Sequence, residues 1–295
     1  MQPHKQNLFL AILTCAMGYF FIAAMGACSK LVSHQTSVFT ILLFQNGICL
    51  LFTLPLIIKW GWKGLKTERI GLHLTRDLAG VGAFFCLFLS LQSIPLVDGI
   101  LLLNTAPLWI PLIALIGFGI RMKGHVWWGM ILGFIGVLFI LKPGAESLSL
   151  ASLIALVSGI GAGITFISVG RLASTEPTYR ILFYYFLVGV LLMAPLAAWD
   201  FTIPSHADLL NLMGVGTFGF IGQVFTTYAF KHGKTTILAP ITYSVVIFSG
   251  LFDWLFWDHL PDLFTYLGVI LVVAGSIAAI YFEKRYQKKF PSTPS

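Results

Sequence analysis

Apolar residues run through this chain in blocks of roughly 17 to 25, the length a helix needs to cross a hydrocarbon core. Ten blocks can be marked: Leu8 to Ser29, Ser37 to Ile58, Leu78 to Ser93, Asp98 to Ile120, Val126 to Leu141, Leu148 to Gly170, Ile181 to Trp199, Leu209 to Phe230, Thr236 to Trp257 and Leu263 to Phe282. The pattern predicts an all-α integral membrane protein with ten transmembrane helices and no extramembrane domain. Two blocks are unusual. The stretch from Ile94 to Leu112 holds Asn104, Thr105, Pro107 and Pro111 at its middle, and the stretch from Thr236 to Trp257 holds Pro240, Thr242, Tyr243 and Ser244. Proline removes a backbone hydrogen bond, and a freed carbonyl in lipid is costly unless protein, a cavity or water satisfies it. Helices broken in this way border a pathway.

Charge adds orientation. With the N-terminus inside, Lys5, Lys59, Lys63, Lys66, Arg69, Arg76, Arg121, Lys123, Arg171, Arg180, Lys231, Lys234, Lys284, Arg285, Lys288 and Lys289 all face the cytoplasm, and only Lys30 and Lys142 face out. That is the bias expected of short cytoplasmic loops, and it places both termini inside. Asp98, Glu146, Asp200, Asp208, Asp258 and Asp262 fall on the other side. Trp60, Trp62, Trp127 and Trp128 mark the inner interface, with Trp199, Trp254 and Trp257 at the outer one.

Sliding the sequence on itself by about 139 to 141 positions brings two halves into register. Gly129 then meets Gly268, Gly136 meets Gly275, Lys30-Leu31 meets Arg171-Leu172, Pro55 meets Pro195 and Asn104 meets Tyr243. Each half holds five spans, an odd number, so the second lies upside down relative to the first. The expected units are residues 1–143 and 144–284, followed by a basic cytoplasmic tail at 285–295. Inverted repeats with matching broken helices place a binding site at the midplane.

Composition narrows the function classes. Of 295 residues, 58% are hydrophobic and only 10% charged, and the mean hydropathy is +0.90, outside the range of soluble domains. The net charge of +7 is spread over short loops and makes no nucleic-acid face. Cys15, Cys28, Cys49 and Cys86 lie inside apolar blocks without CxxC pairing and read as packing residues, so neither disulfide nor metal is expected. Met25-Gly26-Ala27-Cys28 imitates a lipoprotein cleavage site, but the block before it is long enough to span and is expected to be retained. The glycines at 159, 161 and 163 and at 214, 216, 219 and 222 lack the GK[ST] ending of a phosphate loop; they predict close helix approach, and nucleotide hydrolysis has no support. No cofactor is expected.

Ile94-Pro95-Leu96 leading to Leu101 to Pro107, then Gly129, Gly133-Phe134-Ile135-Gly136 and Leu141-Lys142-Pro143, with Gly268 and Gly275 in the second half, resemble the drug/metabolite transporter superfamily, EamA group, over nearly the whole chain. The resemblance implies a ten-helix carrier whose cavity is lined by spans 1, 3, 4, 6, 8 and 9, with span 2 peripheral. Members often end spans 4 and 9 with Gly-Glu. This chain has Gly119-Ile120-Arg121 and Trp257-Asp258-His259 there, so Asp258 alone approximates such a carboxylate. Leu65-Lys66-Thr67-Glu68-Arg69 with His73 and Arg76 is also similar to S-adenosylmethionine uptake carriers of intracellular bacteria.

Candidate substrate-binding residues follow from polar groups at membrane depth. Asn104 either lines a cavity or bonds a neighbouring helix together with Thr105; Trp109 either stacks on a planar or cationic solute or packs. Gln92 offers an amide at the end of span 3 and ranks above Gln45 and Asn46. Gln223 and Thr227, four apart, share a helix face beside Thr226. Tyr243 mirrors Asn104, and Tyr19 sits beside Gly18 on span 1. Lys30 and Arg171 hold mirrored helix ends, as alternating gates or, more simply, as side chains snorkelling to the interface. Asp253, read as the one acid well inside a span, is a gating or proton-coupling candidate, and Asp98 an N-cap. His4, His34, His73, His125, His206, His232 and His259 all read as tail, loop or helix-end residues, so no hydrolytic constellation is visible.

The leading expectation is a secondary carrier in a bacterial inner membrane moving a small polar organic metabolite by alternating access, of S-adenosylmethionine or amino-acid type. An exporter of drugs or metabolic waste with the same fold is the alternative; a non-transporting scaffold, an embedded enzyme and an ion channel are the other classes. Its partners are the solute and the bilayer, and monomer and homodimer both stay open.

Overall fold

The computed structural model describes residues 8–118, 124–141, 149–172, 175–200, 204–232 and 241–289. All its described regular elements are helices: α1 (Leu8–Val32), α2 (Val38–Trp60), a 3-10 turn at Trp62–Leu65, α3 (Ile70–Ser90), α4 (Leu96–Leu103), α5 (Ala106–Phe118), α6 (Gly124–Leu141), α7 (Leu150–Leu172), α8 (Thr178–Trp199), α9 (His206–His232), α10 (Ser244–Trp257) and α11 (Leu263–Lys289). Among the described residues six helices are long and apolar enough to cross a membrane. Four shorter apolar stretches, Leu96–Ile110, Ile131–Ile140, Ser244–Trp257 and Leu263–Gly275, accompany them. Large side chains such as Phe9, Ile58, Ile116 and Trp199 point outward, as a lipid-facing surface requires.

Local chemistry sets the ends. The Ser37 hydroxyl accepts from the Thr40 N–H and starts α2, while Gly61, at φ 68°, ends it with its N–H on the Ile57 carbonyl; a left-handed stop of this kind suits glycine. Asp258 ends α10 in the left-handed region, at φ 50°. The fourth apolar block is two helices, because Pro107 has no N–H for the Leu103 carbonyl. The turn falls at Asn104 and Thr105, and Pro107 enters the first turn of α5, where a missing N–H costs little.

Two boundaries differ from the sequence expectation. α3 begins at Ile70, two turns before Leu78, so His73, Arg76 and Asp77 are helical and buried. Their polarity lowers local hydropathy, yet neighbouring helices cover them. α11 continues through Lys289, so residues 285–289 of the expected tail are helical.

The helices pair lengthwise: α1 with α9, α3 with α7, α2 with α8 and α6 with α11. Glycine makes these approaches possible. A Cβ on Gly136 would lie 2.8 Å from the Gly268 carbonyl, and one on Gly268 would lie 2.8 Å from the Gly136 carbonyl. Along α9, Gly222 packs on Gly18 and Ile22, Gly219 on Met25, and Gly216 on Ile48 of α2. The short helix α4 lies in the core, with Leu96, Val97, Ile100, Leu101 and Leu102 almost fully buried.

Candidate functional site

The α4–α5 interruption is held by its own side chains. Asn104 Nδ2 donates to the Ile100 carbonyl at 2.8 Å, and Thr105 Oγ1 donates to the Leu102 carbonyl at 2.6 Å. Trp109 Nε1 donates back to Thr105 Oγ1 at 3.1 Å, and its ring meets Phe134 edge-on at 4.9 Å. α7 presses on this turn: a Cβ on Gly159 would come within 2.4 Å of Thr105 Oγ1 and 2.7 Å of the Leu102 carbonyl. Asn104 is half-buried and Thr105 fully buried. Trp109 is therefore anchored in packing, and the polar side chains of the turn fold back on the Ile100 and Leu102 carbonyls, which also accept from the Asn104 and Thr105 N–H groups.

The start of α4 is joined to α1 and α10. Asp253 Oδ1 accepts from the Leu96 N–H at 3.1 Å and Oδ2 from the Val97 N–H at 2.7 Å. Lys30 Nζ, 3.2 Å from Asp253 Oδ1, also sits over the Trp257 ring, 4.6 Å from its centroid. The Asp253 side chain is fully buried and that of Lys30 only 11% exposed. A carboxylate here completes two open N–H groups and faces the positive end of the α4 dipole, while the ammonium neutralises it. Lys30 is therefore turned into the bundle, not snorkelling to an interface, because its acid arrives from residue 253. Arg171, at the mirrored position in the last turn of α7, is exposed.

At the opposite end, near Gly64, a second polar layer joins residues far apart in sequence. Thr67 Oγ1 donates to Glu176 Oε1 at 2.6 Å, Arg180 pairs with Glu176 Oε2, Arg180 Nε donates to the Gly64 carbonyl at 2.7 Å, and Tyr184 Oη donates to the Leu65 carbonyl at 2.9 Å. Burial pushes the Glu176 carboxyl up, but the hydrogen bonds from Thr67 and Arg180 and the charge of Arg180 outweigh it and hold the group below its ordinary value. Under this layer lie His73, Arg76 and Asp77. Arg76 contacts Asp77 at 3.3 Å and stacks over Tyr185, 3.7 Å from the ring centroid; the His73 ring lies 4.7 Å from that of Tyr184.

Sequence reasoning named His73 and Arg76 only for a resemblance and did not group them with Asp77 as a site. His73 lies in the first turn of α3, a helix end as read, but it is buried, and Asp77 joins Asp253 as a second buried acid in an apolar helix. One signal was available: His73 and Arg76 are three apart, and with Asp77 they flank a segment whose next residues are continuously apolar, the pattern of polar groups sharing a buried helix face.

The other candidates scatter. Gln92 lies in the turn after α3, where Nε2 donates to the Ser33 carbonyl at 3.0 Å and lines a surface cavity of about 250 Å³ with Ser33, His34, Gln35, Thr36, Ser37 and Asp200. It is thus at a bundle end, away from the α4–α5 turn. Tyr19 and Tyr243 are buried and close enough to interact electrostatically, bringing α1 to the start of α10. Gln223 is half-buried on α9, between Gly222 and Thr226, which both face Gly18. The side chain of Thr227, and Pro240, Arg121 and Lys142, lie outside the described residues. Asp258 is exposed and serves as a helix end. Among the described residues no group of three or more His, Cys, Asp or Glu side chains is placed to hold a metal ion.

The model of the EamA-like transporter family matches this chain twice, over residues 9–142 and 149–281. The pseudopaline exporter CntI of Pseudomonas aeruginosa is 29% identical over 276 residues, covering 93% of this chain and 95% of that protein. A riboflavin transporter of Rhizobium johnstonii is 25% identical, covering 83% and 82%. An S-adenosylmethionine uptake transporter of Rickettsia bellii is 23% identical, covering 96% and 99%. A solved crystal structure superposes with a TM-score of 0.64 at 16% identity, over 95% of this chain and 99% of its own, and shows the same fold. With two matches that together take in nearly every apolar block, the chain belongs to the EamA-like transporter family, multi-pass membrane transporters of small metabolites.

Proposed function

We propose that the protein is a secondary carrier of the bacterial inner membrane, with both termini cytoplasmic, that moves a small polar metabolite by alternating access between two inverted five-helix repeats. The single observation that carries this is the seating of the interrupted helix: α4, from the first half, begins on Asp253 of the second half, and Lys30 of the first half holds that carboxylate. A carrier needs a discrete, breakable closure between its moving halves, and a buried ion pair at the end of a broken helix is one.

The repeat reading is supported by helix pairing. Exchanging the halves turns the α1–α9 pair into α7–α3 and leaves α2–α8 and α6–α11 as themselves, which is what a two-fold relation between the halves requires. The family model's two matches, broken near residue 143, point the same way. The lysine and arginine bias puts the Gly64 end on the cytoplasmic side and the Lys30–Asp253 end outside. Tyr19, Asn104, Gln223 and Tyr243 would line the path between the two closures. Solutes of the relatives, S-adenosylmethionine and riboflavin among them, are the first candidates for cargo.

The test is counterflow in proteoliposomes with S-adenosylmethionine, riboflavin and amino acids. Labelled solute accumulates transiently against an unlabelled preload only if one site alternates, which separates a carrier from a channel. In a background without the native cysteines, K30C and D253C bridged by a short bifunctional thiol reagent should stop counterflow, and each single variant treated alike should not. Counterflow that continues through the bridge overturns the gate.

A further inference from the structure

The His73, Arg76 and Asp77 cluster is built from charges that the protein itself leaves half-used. Arg76 is 4% exposed and His73 and Asp77 are fully buried. Arg76 Nε, both His73 ring nitrogens and Asp77 Oδ2 have no hydrogen-bond partner among the described residues. A guanidinium presents five N–H groups in a fixed fork. Here it has one 3.3 Å contact, to the residue next to it in sequence, and the ring of Tyr185 covers a face of the group. Leaving charged groups so in a buried site costs free energy that only a partner recovers. His73 stands one turn before Arg76, on the same helix face. Around them are the aromatic rings of Tyr184 and Tyr185 and, in the covering layer, Glu176 and Arg180, which are already paired with each other.

We propose that His73, Arg76 and Asp77 form the binding site for an amino-acid-type headgroup of the transported solute, with the carboxylate on Arg76 and a His73 N–H, and the ammonium on Asp77 Oδ2. The open atoms select this class. They are donors for an anion on Arg76 and His73 and an acceptor for a cation on Asp77, within one and a half helical turns. The guanidinium and carboxylate sum to no net charge, which matches a zwitterion; a plain carboxylate would leave Asp77 repelled, and a plain amine would face Arg76. The site rests on the carrier reading above, because it lies under the Thr67, Glu176 and Arg180 layer, which joins the two halves and would have to part for a solute to enter. That layer is where the first half (Gly64, Leu65, Thr67) meets the second (Glu176, Arg180, Tyr184).

The test uses the purified full-length protein and three probes of one size: L-alanine, propionate, which lacks the ammonium, and L-alaninamide, which lacks the carboxylate. Affinity is read from the concentration dependence of the melting temperature. Wild type should bind L-alanine at least about tenfold more tightly than either fragment, and R76Q should lose about 10- to 100-fold for L-alanine, the range of a lost charge-assisted hydrogen bond. D77N should invert the preference, so that propionate binds more tightly than L-alanine. T75A, on the exposed face of α3, should leave all three affinities unchanged. If R76Q does not fold, R76K keeps the charge without the fork and should lose about tenfold. Equal binding of L-alanine and L-alaninamide, no binding of any probe, or wild-type affinity in D77N and R76K overturns the site; no binding at all means that internal water satisfies these atoms. The two readings fail separately. Counterflow of a solute without a carboxylate, insensitive to D77N and R76K, removes the headgroup site and leaves the carrier. Alanine binding with the stated profile, together with counterflow through the bridged gate, removes the gate and leaves the site.

Discussion

Asp253→Asn is the sharpest single perturbation, because asparagine keeps the shape of the side chain and removes only charge and one acceptor. The carboxylate accepts three hydrogen bonds: Lys30 Nζ at 3.2 Å, the Leu96 N–H at 3.1 Å and the Val97 N–H at 2.7 Å. An amide has one carbonyl oxygen, so whichever way it turns, an NH₂ group faces a donor that had an acceptor. If the oxygen stays with Leu96 and Lys30, the Val97 N–H is orphaned, at about 1 kcal/mol as for a lost helix cap. Lys30 loses its counter-charge as well, and breaking a buried pair from one side costs about 3–5 kcal/mol. Lys30 is 11% exposed and Asp98 lies within electrostatic reach, so the lower end applies, and with the orphaned N–H the total is ~4 kcal/mol.

At about 2 °C per kcal/mol, D253N should melt ~8 °C below wild type in detergent. K30M should cost less, since the carboxylate keeps both backbone donors and the helix dipole. The double variant K30M/D253N should be more stable than the sum of the singles by ~1–2 kcal/mol, the signature of a coupled pair. Hydrogen exchange supplies the local readout: the Leu96 and Val97 amides should exchange faster in D253N and not in K30M. Additive singles, or a D253N melting temperature within about 1 °C of wild type, would refute the reasoning, because a buried capping ion pair cannot be removed at no cost.

Two further predictions test the scaffold and the opposite closure. G136A and G268A should each destabilise by ~1–3 kcal/mol, as overpacking does, because each added methyl would meet the facing helix backbone at 2.8 Å; thermal melting of the single variants checks this, and an unchanged melting temperature would mean that α6 and α11 sit further apart. The folded value of Glu176 is below its ordinary 4.5, so its contribution is fully present above that pH and is lost as pH falls through the depressed folded value. Melting curves from pH 7 down to 3 should therefore show an acid-side loss in wild type that is smaller in E176Q; parallel curves would remove Glu176 from the closure.

How much of this was legible in the sequence depends on the distance over which each contact forms. The interruption at Asn104 and Thr105 could be read locally, since proline cannot continue a helix and short polar side chains can bond the carbonyls of the preceding turn. The glycines of α7 and α9 were legible as surfaces for close approach, although not which helix each would meet. Hydropathy misplaced the start of α3 because it scores His73, Arg76 and Asp77 as belonging to water, whereas Tyr184 and Tyr185, more than a hundred positions later, cover them. Lys30 was misread for the same reason. Its partner lies 223 residues away, and without that partner snorkelling is the cheaper arrangement for a lysine at a helix end. Gln92 was ranked above Gln45 and Asn46 because the resemblance makes span 2 peripheral, and its depth depended on where α3 stopped.

The pairing of the helices and the pairing of the charges obey different symmetries, and that difference has mechanical meaning. The scaffold treats the halves as equivalent: α1 lies on α9 as α7 lies on α3. The closures do not. Lys30 finds a buried acid at the start of α4, but Arg171, at the mirrored helix end, is exposed. At the other end stand Glu176 and Arg180 from the α7–α8 connection, with side chains 5% and 17% exposed against 0% and 11% for Asp253 and Lys30. Both pairs are largely buried, and a buried pair is costly to break from one side. In the carrier proposed above, the two ends would therefore open against different contacts: Lys30–Asp253 bridges the halves directly, whereas Glu176–Arg180 lies within the second half and reaches the first through Thr67 and the Gly64 carbonyl, so the cost of opening each end depends on where the charges fall and not on the helix pairing alone.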